Sequence, residues 1–112
     1  MRIKDRSVFL SGPMSDDPDT YHVDDFALAH NKVKRLGARD VYNPAISYLT
    51  YGEHDHGYWM RECILKLLNG CNHYKYDVVV QLPGWEKSLG ATLEYQVAQA
   101  CGIPCVKLCD CE

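Results

Sequence analysis

Asp77-Val78-Val79-Val80-Gln81-Leu82-Pro83-Gly84-Trp85-Glu86-Lys87-Ser88-Leu89-Gly90-Ala91-Thr92-Leu93-Glu94 is the stretch on which the fold turns. Its first six residues, Asp77 to Leu82, form a run rich in β-branched valine, the clearest strand signal in the chain. Pro83-Gly84 breaks that strand. Ser88 is then a helix cap, and the helix it opens is expected to reach Ala100, with Gly102 and Pro104 beyond its end. A last strand-like run, Pro104 to Leu108, follows.

The same alternation extends toward the N-terminus. Ser7-Val8-Phe9-Leu10 is a short apolar run ending in Ser11-Gly12-Pro13, which predicts a buried strand and a loop. From Tyr21 to Leu36, apolar residues recur at Val23, Phe26, Ala27, Val33 and Leu36, and Gly37 supplies the stop, so a first helix is expected there. Asp40-Val41-Tyr42 reads as a second strand closed by Asn43-Pro44. Tyr58 to Leu68 carries a second helical stripe through Trp59, Cys63, Ile64, Leu67 and Leu68, ended by Gly70. Strands alternating with helices imply parallel pairing through right-handed crossovers. The expected fold is a single α/β domain over residues 1–112, a flavodoxin- or Rossmann-like three-layer sandwich with four to five parallel strands. Ligands of such sheets bind at the C-terminal strand ends.

Composition narrows the partners. The 112 residues are 46% apolar and 24% charged, an ordinary globular balance with room for one modest core. With a formal charge of −3 and no Lys/Arg run beyond two residues, the chain lacks the footprint of a protein that grips a nucleic-acid polymer. The start, Met1-Arg2-Ile3-Lys4-Asp5-Arg6, is charged and has no long apolar segment, so neither a signal peptide nor a membrane span is expected, and a cytoplasmic location is. Of the six cysteines, Cys63, Cys71 and Cys101 fall within or at the ends of expected helices and Cys105 falls in a strand, positions where free thiols act as small hydrophobes. Cys109 and Cys111 are read as a reduced tail, the alternative being an accessible thiolate pair for a metal or redox site.

The unusual residues gather at the expected strand ends. Strand one delivers Ser11-Gly12-Pro13-Met14-Ser15, and strand three delivers the loop from Pro83 to Gly90. The start of the third helix adds unpaired N–H donors, so an anion can dock near Ser88, Leu89 and Gly90. Glu94 lies on the same helical face as Gly90 and Ala91, whose minimal side chains leave space over its carboxylate. The plain alternative for each is a cap, a turn and a solvated glutamate. Glu53-His54-Asp55-His56 contains metal-ligating side chains, but adjacent alternating ligands on one loop rarely close a tetrahedral site, so it reads as a polar loop that folds over the ligand. No metal or cofactor is expected. Trp85 has two uses open to it, stacking on a base or packing at a subunit contact. Tyr48-Leu49-Thr50-Tyr51 is equally ambiguous.

Val8-Phe9-Leu10-Ser11-Gly12-Pro13-Met14, Asn43-Pro44-Ala45 and Leu82 through Glu94 together resemble the nucleoside 2-deoxyribosyltransferase-like superfamily, over nearly the whole chain from Val8 to Val106. The chain looks most like its short, often phage- or prophage-encoded members, and Ser88-Leu89-Gly90 followed by Glu94 also resembles the 2′-deoxynucleoside 5′-monophosphate N-glycosidases. The resemblance implies that Glu94 attacks the anomeric carbon of a deoxyribosyl group and that the base leaves, in the manner of a retaining glycosidase. It also implies that the loop Ser11, Gly12, Pro13 and Met14 lines the sugar and base, while Ser88 and Gly90 hold the 5′ end; Asn43 and Trp85 are further candidate binding residues. The partner is then a small nucleoside or nucleotide, and the working form a homodimer or larger homo-oligomer, to which Tyr48, Tyr51, Tyr58, Trp59 and Trp85 supply aromatic contact surface.

Two positions depart from that pattern. Phe9 stands where relatives often carry a tyrosine whose hydroxyl contacts the nucleophile. Cys63 stands where they carry an aspartate that assists the leaving base, with Glu62 or Asp77 as substitutes if the register differs. These departures define the alternative, a catalytically degenerate nucleotide-binding protein that sequesters a nucleotide or nucleotide signal.

Overall fold

Four parallel strands in the order β2-β1-β3-β4 form the sheet in the computed structural model, which describes residues 1–14, 22–46, 54–71 and 74–112. They are β1 (Ser7–Ser11), β2 (Asp40–Tyr42), β3 (Val78–Gln81) and β4 (Cys105–Lys107). The connecting helices are α1 (Val23–Arg35), α2 (His56–Asn69) and α3 (Leu89–Ala100). Register is set by Phe9 opposite Tyr42 on one side of β1 and opposite Val79 on the other. The expectation of four to five strands thus resolves to four among the described residues.

The central strands β1 and β3 are buried along their whole length, as continuous apolar runs between two helical layers should be. Because strand side chains alternate, the two faces carry separate cores. Val8, Leu10, Val78 and Val80 pack with Phe26, Ala29 and Val33 of α1 on one face. Phe9 and Val79 pack with Cys63 and Leu67 of α2 and Ala98 of α3 on the other. This is the three-layer sandwich. Each fully buried apolar side chain contributes on the order of 1.5–3 kcal/mol.

Local chemistry sets the helix boundaries. α2 begins at His56, earlier than the expected Tyr58, because the Asp55 carboxylate accepts the Tyr58 N–H at 2.7 Å and caps the helix. Ser88 caps α3 as expected, its hydroxyl oxygen accepting the Ala91 N–H at 3.2 Å. Single 3₁₀ turns at Trp85–Lys87 and Leu108–Asp110 replace what pattern alone leaves as loop and strand end.

The C-terminal tail is not free. Ile3 N–H donates to the Glu112 carbonyl and Glu112 N–H to that of Met1, each at 2.9 Å. Cys111 is thereby buried beside Ile3 in the α1-side core, while Cys109 is exposed, so the two do not form an accessible thiolate pair. All six cysteines are free thiols. No described helix is long and apolar enough to cross a membrane.

Candidate functional site

Strand order reverses between β1 and β3, because the chain leaves β1 toward β2 on one side and later places β3 on the other. In an open parallel sheet this divergence leaves a crevice beyond the C-terminal ends of the two strands. Ser11 is the last residue of β1, and Glu94 lies on α3, which follows β3. Their side chains meet there. The Ser11 hydroxyl donates to Glu94 Oε1 at 2.6 Å, and both residues are buried.

Glu94 is not the solvated helical glutamate of the plain reading. Only 6% of it is exposed, and burial pushes its carboxyl up to about 7, with the Ser11 hydrogen bond pulling the other way. One donor does not replace the water that a carboxylate loses on burial. The group therefore changes charge near neutral pH.

The pocket over Glu94 is lined by Gly12, Met14, Pro44, Trp59, Met60, Cys63, Ser88, Gly90 and Ala91. Gly12 is required by close approach, since a Cβ there would sit 2.7 Å from Leu82 Cβ at the point where the β1 and β3 exits run side by side. Gly90 leaves space that Met60 fills, its Sδ lying 2.8 Å from where a Cβ would be. The clear space expected over Glu94 is therefore partly occupied by a flexible thioether. The remaining cavity, about 40 Å³, has room for a few waters and is far below the roughly 300–1,000 Å³ of a drug-sized ligand site. Met60 is its movable wall, because an unbranched thioether changes rotamer readily.

Ser88 and Gly90 belong to the pocket as expected. The Ser88 hydroxyl accepts from Ala91 N–H and so keeps its own proton for another acceptor. Leu89 and Gly90 precede Thr92, whose N–H is the first to donate within the helix, to the Ser88 carbonyl at 3.0 Å, so their N–H groups add to the positive end of α3.

Three of the expected binding residues lie elsewhere. Pro13 lines a different cavity with His22, Leu82 and Pro83. Asn43 follows Tyr42, which packs on the α2 face, so alternation sends Asn43 to the α1 face. There its Oδ1 accepts from Ala45 N–H at 3.0 Å, and it lines a shallow cavity with His30. Trp85 is carried by the 3₁₀ turn onto Tyr95, ring centroids 5.1 Å apart, and lines a cavity beside β4 rather than the one over Glu94.

Cys63 does line the pocket. Burial and then the negative Glu94 push its thiol far above the ordinary range, against a hydrogen bond from the Tyr42 hydroxyl, so it is a neutral thiol. Phe9 is fully buried and stacks on Tyr42 at 5.1 Å. The hydroxyl absent at Phe9 is thus present one strand over, directed at Cys63. Neither suggested substitute for the aspartate reaches the site. Glu62 is exposed on α2, and Asp77 sits at the opposite edge of the sheet, bonded to Ser7.

The apolar stripe of the sequence includes Trp59 but not Met60, and both line the pocket. The signal was available in the spacing, since Met60 and Cys63 are three apart and share a helical face. Trp59 is 4% exposed within the chain, which removes it from the aromatic surface counted toward subunit contacts. Tyr48, Tyr51, Glu53 and Ser15 lie outside the described residues. Among the described residues, no group of three or more His, Cys, Asp or Glu side chains is arranged to hold a metal.

A family model with the description Domain of unknown function (DUF4406) matches residues 6–107, and the chain belongs to that family. No curated protein and no solved structure matches the chain.

Proposed function

We propose that this DUF4406 chain is a nucleoside or nucleotide N-glycosidase, or a 2-deoxyribosyltransferase, whose nucleophile is Glu94. The observation that carries the reading is a buried carboxylate held by one serine at the switch point of a parallel sheet, next to a capped helix N-terminus. A carboxylate shielded from water and short of donors is reactive toward an electron-poor carbon. Ionised Glu94 attacks C1′ of the sugar, an ester bond forms, and the C1′–N bond breaks with its electron pair leaving on the base, which takes up a proton. Water or a second base then attacks C1′ and frees Glu94. Ser11 orients the carboxylate, and Ser88 with the Leu89 and Gly90 N–H groups holds the 5′ end.

Room for the sugar comes from rotation of Met60. The likeness of this chain's motifs to the nucleoside 2-deoxyribosyltransferase-like superfamily supports the assignment of chemistry. Incubating the protein with a panel of deoxynucleosides and their 5′-monophosphates, and following free base by chromatography, is the direct test. Base release from one member supports the reading, and none from any member, at substrate concentrations that saturate binding, overturns it.

Cys63 favours a second reading. A neutral thiol with a strongly raised pKa is a poor proton donor to a departing base, so the site can bind a nucleotide without turning it over. Tight binding without base release is its signature. Either form is expected to be a homo-oligomer, because Leu65 and Leu68 on α2 and Leu89 and Leu93 on α3 are exposed on the helices that flank the pocket. Light scattering at micromolar concentration should give at least twice the 12.8 kDa chain mass.

A further inference from the structure

The largest of the cavities described above lies away from Glu94, at the C-terminal ends of β3 and β4, with a volume of about 460 Å³. That is within the roughly 300–1,000 Å³ of small-molecule sites. Its wall includes Gln81, Trp85, Lys32, Lys107 and Glu86. Gln81 is 5% exposed, and its Nε2 has no hydrogen-bond partner. The Trp85 indole Nε1 is also buried without a partner. Two such donors on residues of one wall are unusual, because each leaves the cost of its desolvation uncompensated.

The charges point the same way. Lys32 and Lys107 place two ammonium groups on the wall against one carboxylate, Glu86. Lys32 Nζ already donates to the Leu108 carbonyl at 2.7 Å, which fixes its position and leaves further N–H groups for another acceptor. Register places Gln81 directly between Ser11 and Lys107, so this wall begins one strand away from the serine that holds Glu94.

We propose that this cavity is a second ligand site, for a small organic anion with at least two acceptor groups, such as phosphates or carboxylates. When the anion enters, the Gln81 amide and the Trp85 indole turn their N–H groups toward it, and Lys107 and Lys32 balance its charge. The site does not depend on the chemistry assigned to Glu94, and it takes its ligand on the far side of the Pro83–Gly84 turn.

The experiment titrates pyrophosphate and, separately, citrate into ¹⁵N-labelled protein and follows the Trp85 indole and Gln81 side-chain amide resonances. Saturable shifts of both, with affinity falling at least tenfold in Lys107→Ala and in Lys32→Ala, are the expected result. Lys107 is exposed on an edge strand, so its replacement leaves the core intact. Stronger binding of pyrophosphate assigns the site to phosphates, and stronger binding of citrate assigns it to carboxylates. Absence of shifts at millimolar concentration overturns the proposal. So does binding that both lysine variants retain, or shifts confined to the Ser88 and Gly90 amides.

Discussion

Strand β1 carries a serine at each end, and each serine holds a carboxylate from another element. At the N-terminal edge, Asp77 Oδ2 accepts from the Ser7 backbone N–H at 2.8 Å and from its hydroxyl at 3.1 Å, while Arg39 lies 3.5 Å away. Those hydrogen bonds, the backbone one first, hold the Asp77 carboxyl below its ordinary range. At the C-terminal edge, Glu94 has the Ser11 hydroxyl and deeper burial, and its carboxyl is raised to about 7. Both pairs join a serine of β1 to an acid, yet one carboxylate is satisfied and the other is not. A satisfied carboxylate clips two strands together. An under-satisfied one is a destabilised charge, and such charges mark the places where folds keep reactivity.

The largest expected effect tests the unsatisfied pair. Glu94→Gln should cut base release by at least about a thousandfold, the loss of a nucleophile being worth several kcal/mol of barrier. Nucleotide binding should persist. The same variant sharpens the comparison through stability. A carboxyl whose folded pKa is raised contributes stability below its unfolded value of about 4.5 and loses it as pH climbs to about 7. Wild-type stability should therefore fall by about 3 kcal/mol across that window relative to Glu94→Gln, in denaturant melts at a series of pH values. Full turnover in Glu94→Gln would break the assignment of Glu94 as nucleophile.

Ser88→Asp keeps a competent cap and puts a negative charge at the start of α3. Affinity for a deoxynucleoside monophosphate should drop by about ten- to a hundredfold, and affinity for the matching nucleoside much less, as calorimetry would show. Equal losses would mean that Ser88 does not face a phosphate.

Ser11→Ala removes the hydrogen-bond donor of Glu94 and raises its carboxyl further. The pH–rate profile should move up by about one unit, with about fivefold slower base release at about pH 7 and little change well above the new midpoint. An unshifted profile would show that Ser11 does not govern the ionisation.

Asp77→Asn should have the smallest effect, about 1 kcal/mol or less, because its side chain is 39% exposed and solvent screens it. The sign is opposite to that at Glu94. A depressed carboxyl contributes stability above its unfolded pKa of about 4 and loses it as pH falls through the folded value. Thermal melts should show the variant closest to wild type at low pH and furthest from it near neutrality, with base release unchanged.

The sequence by itself determined the fold class, because it depends on local period. Valines at 78–80 and the run Val8 to Leu10 read as buried strands, and the stripes over α1, α2 and α3 read as helices, without any knowledge of the partner surface. It also determined Glu94, Ser88 and Gly90 as one group, since three residues on one helix have fixed relative positions. Facing across the sheet was decided only in three dimensions. Tyr42 and Asn43 are neighbours in the chain, but their side chains go to opposite faces, so Asn43 does not reach the pocket that the adjacent Pro44 lines. Trp85 is turned toward Tyr95 by a single 3₁₀ turn that no periodicity announces. Met60 fills the space left by Gly90 from another helix, and Ser11 meets Glu94 from another strand. Contacts between distant segments arise from packing, in which each element's position depends on all the others, whereas helix and strand periods belong to each segment alone.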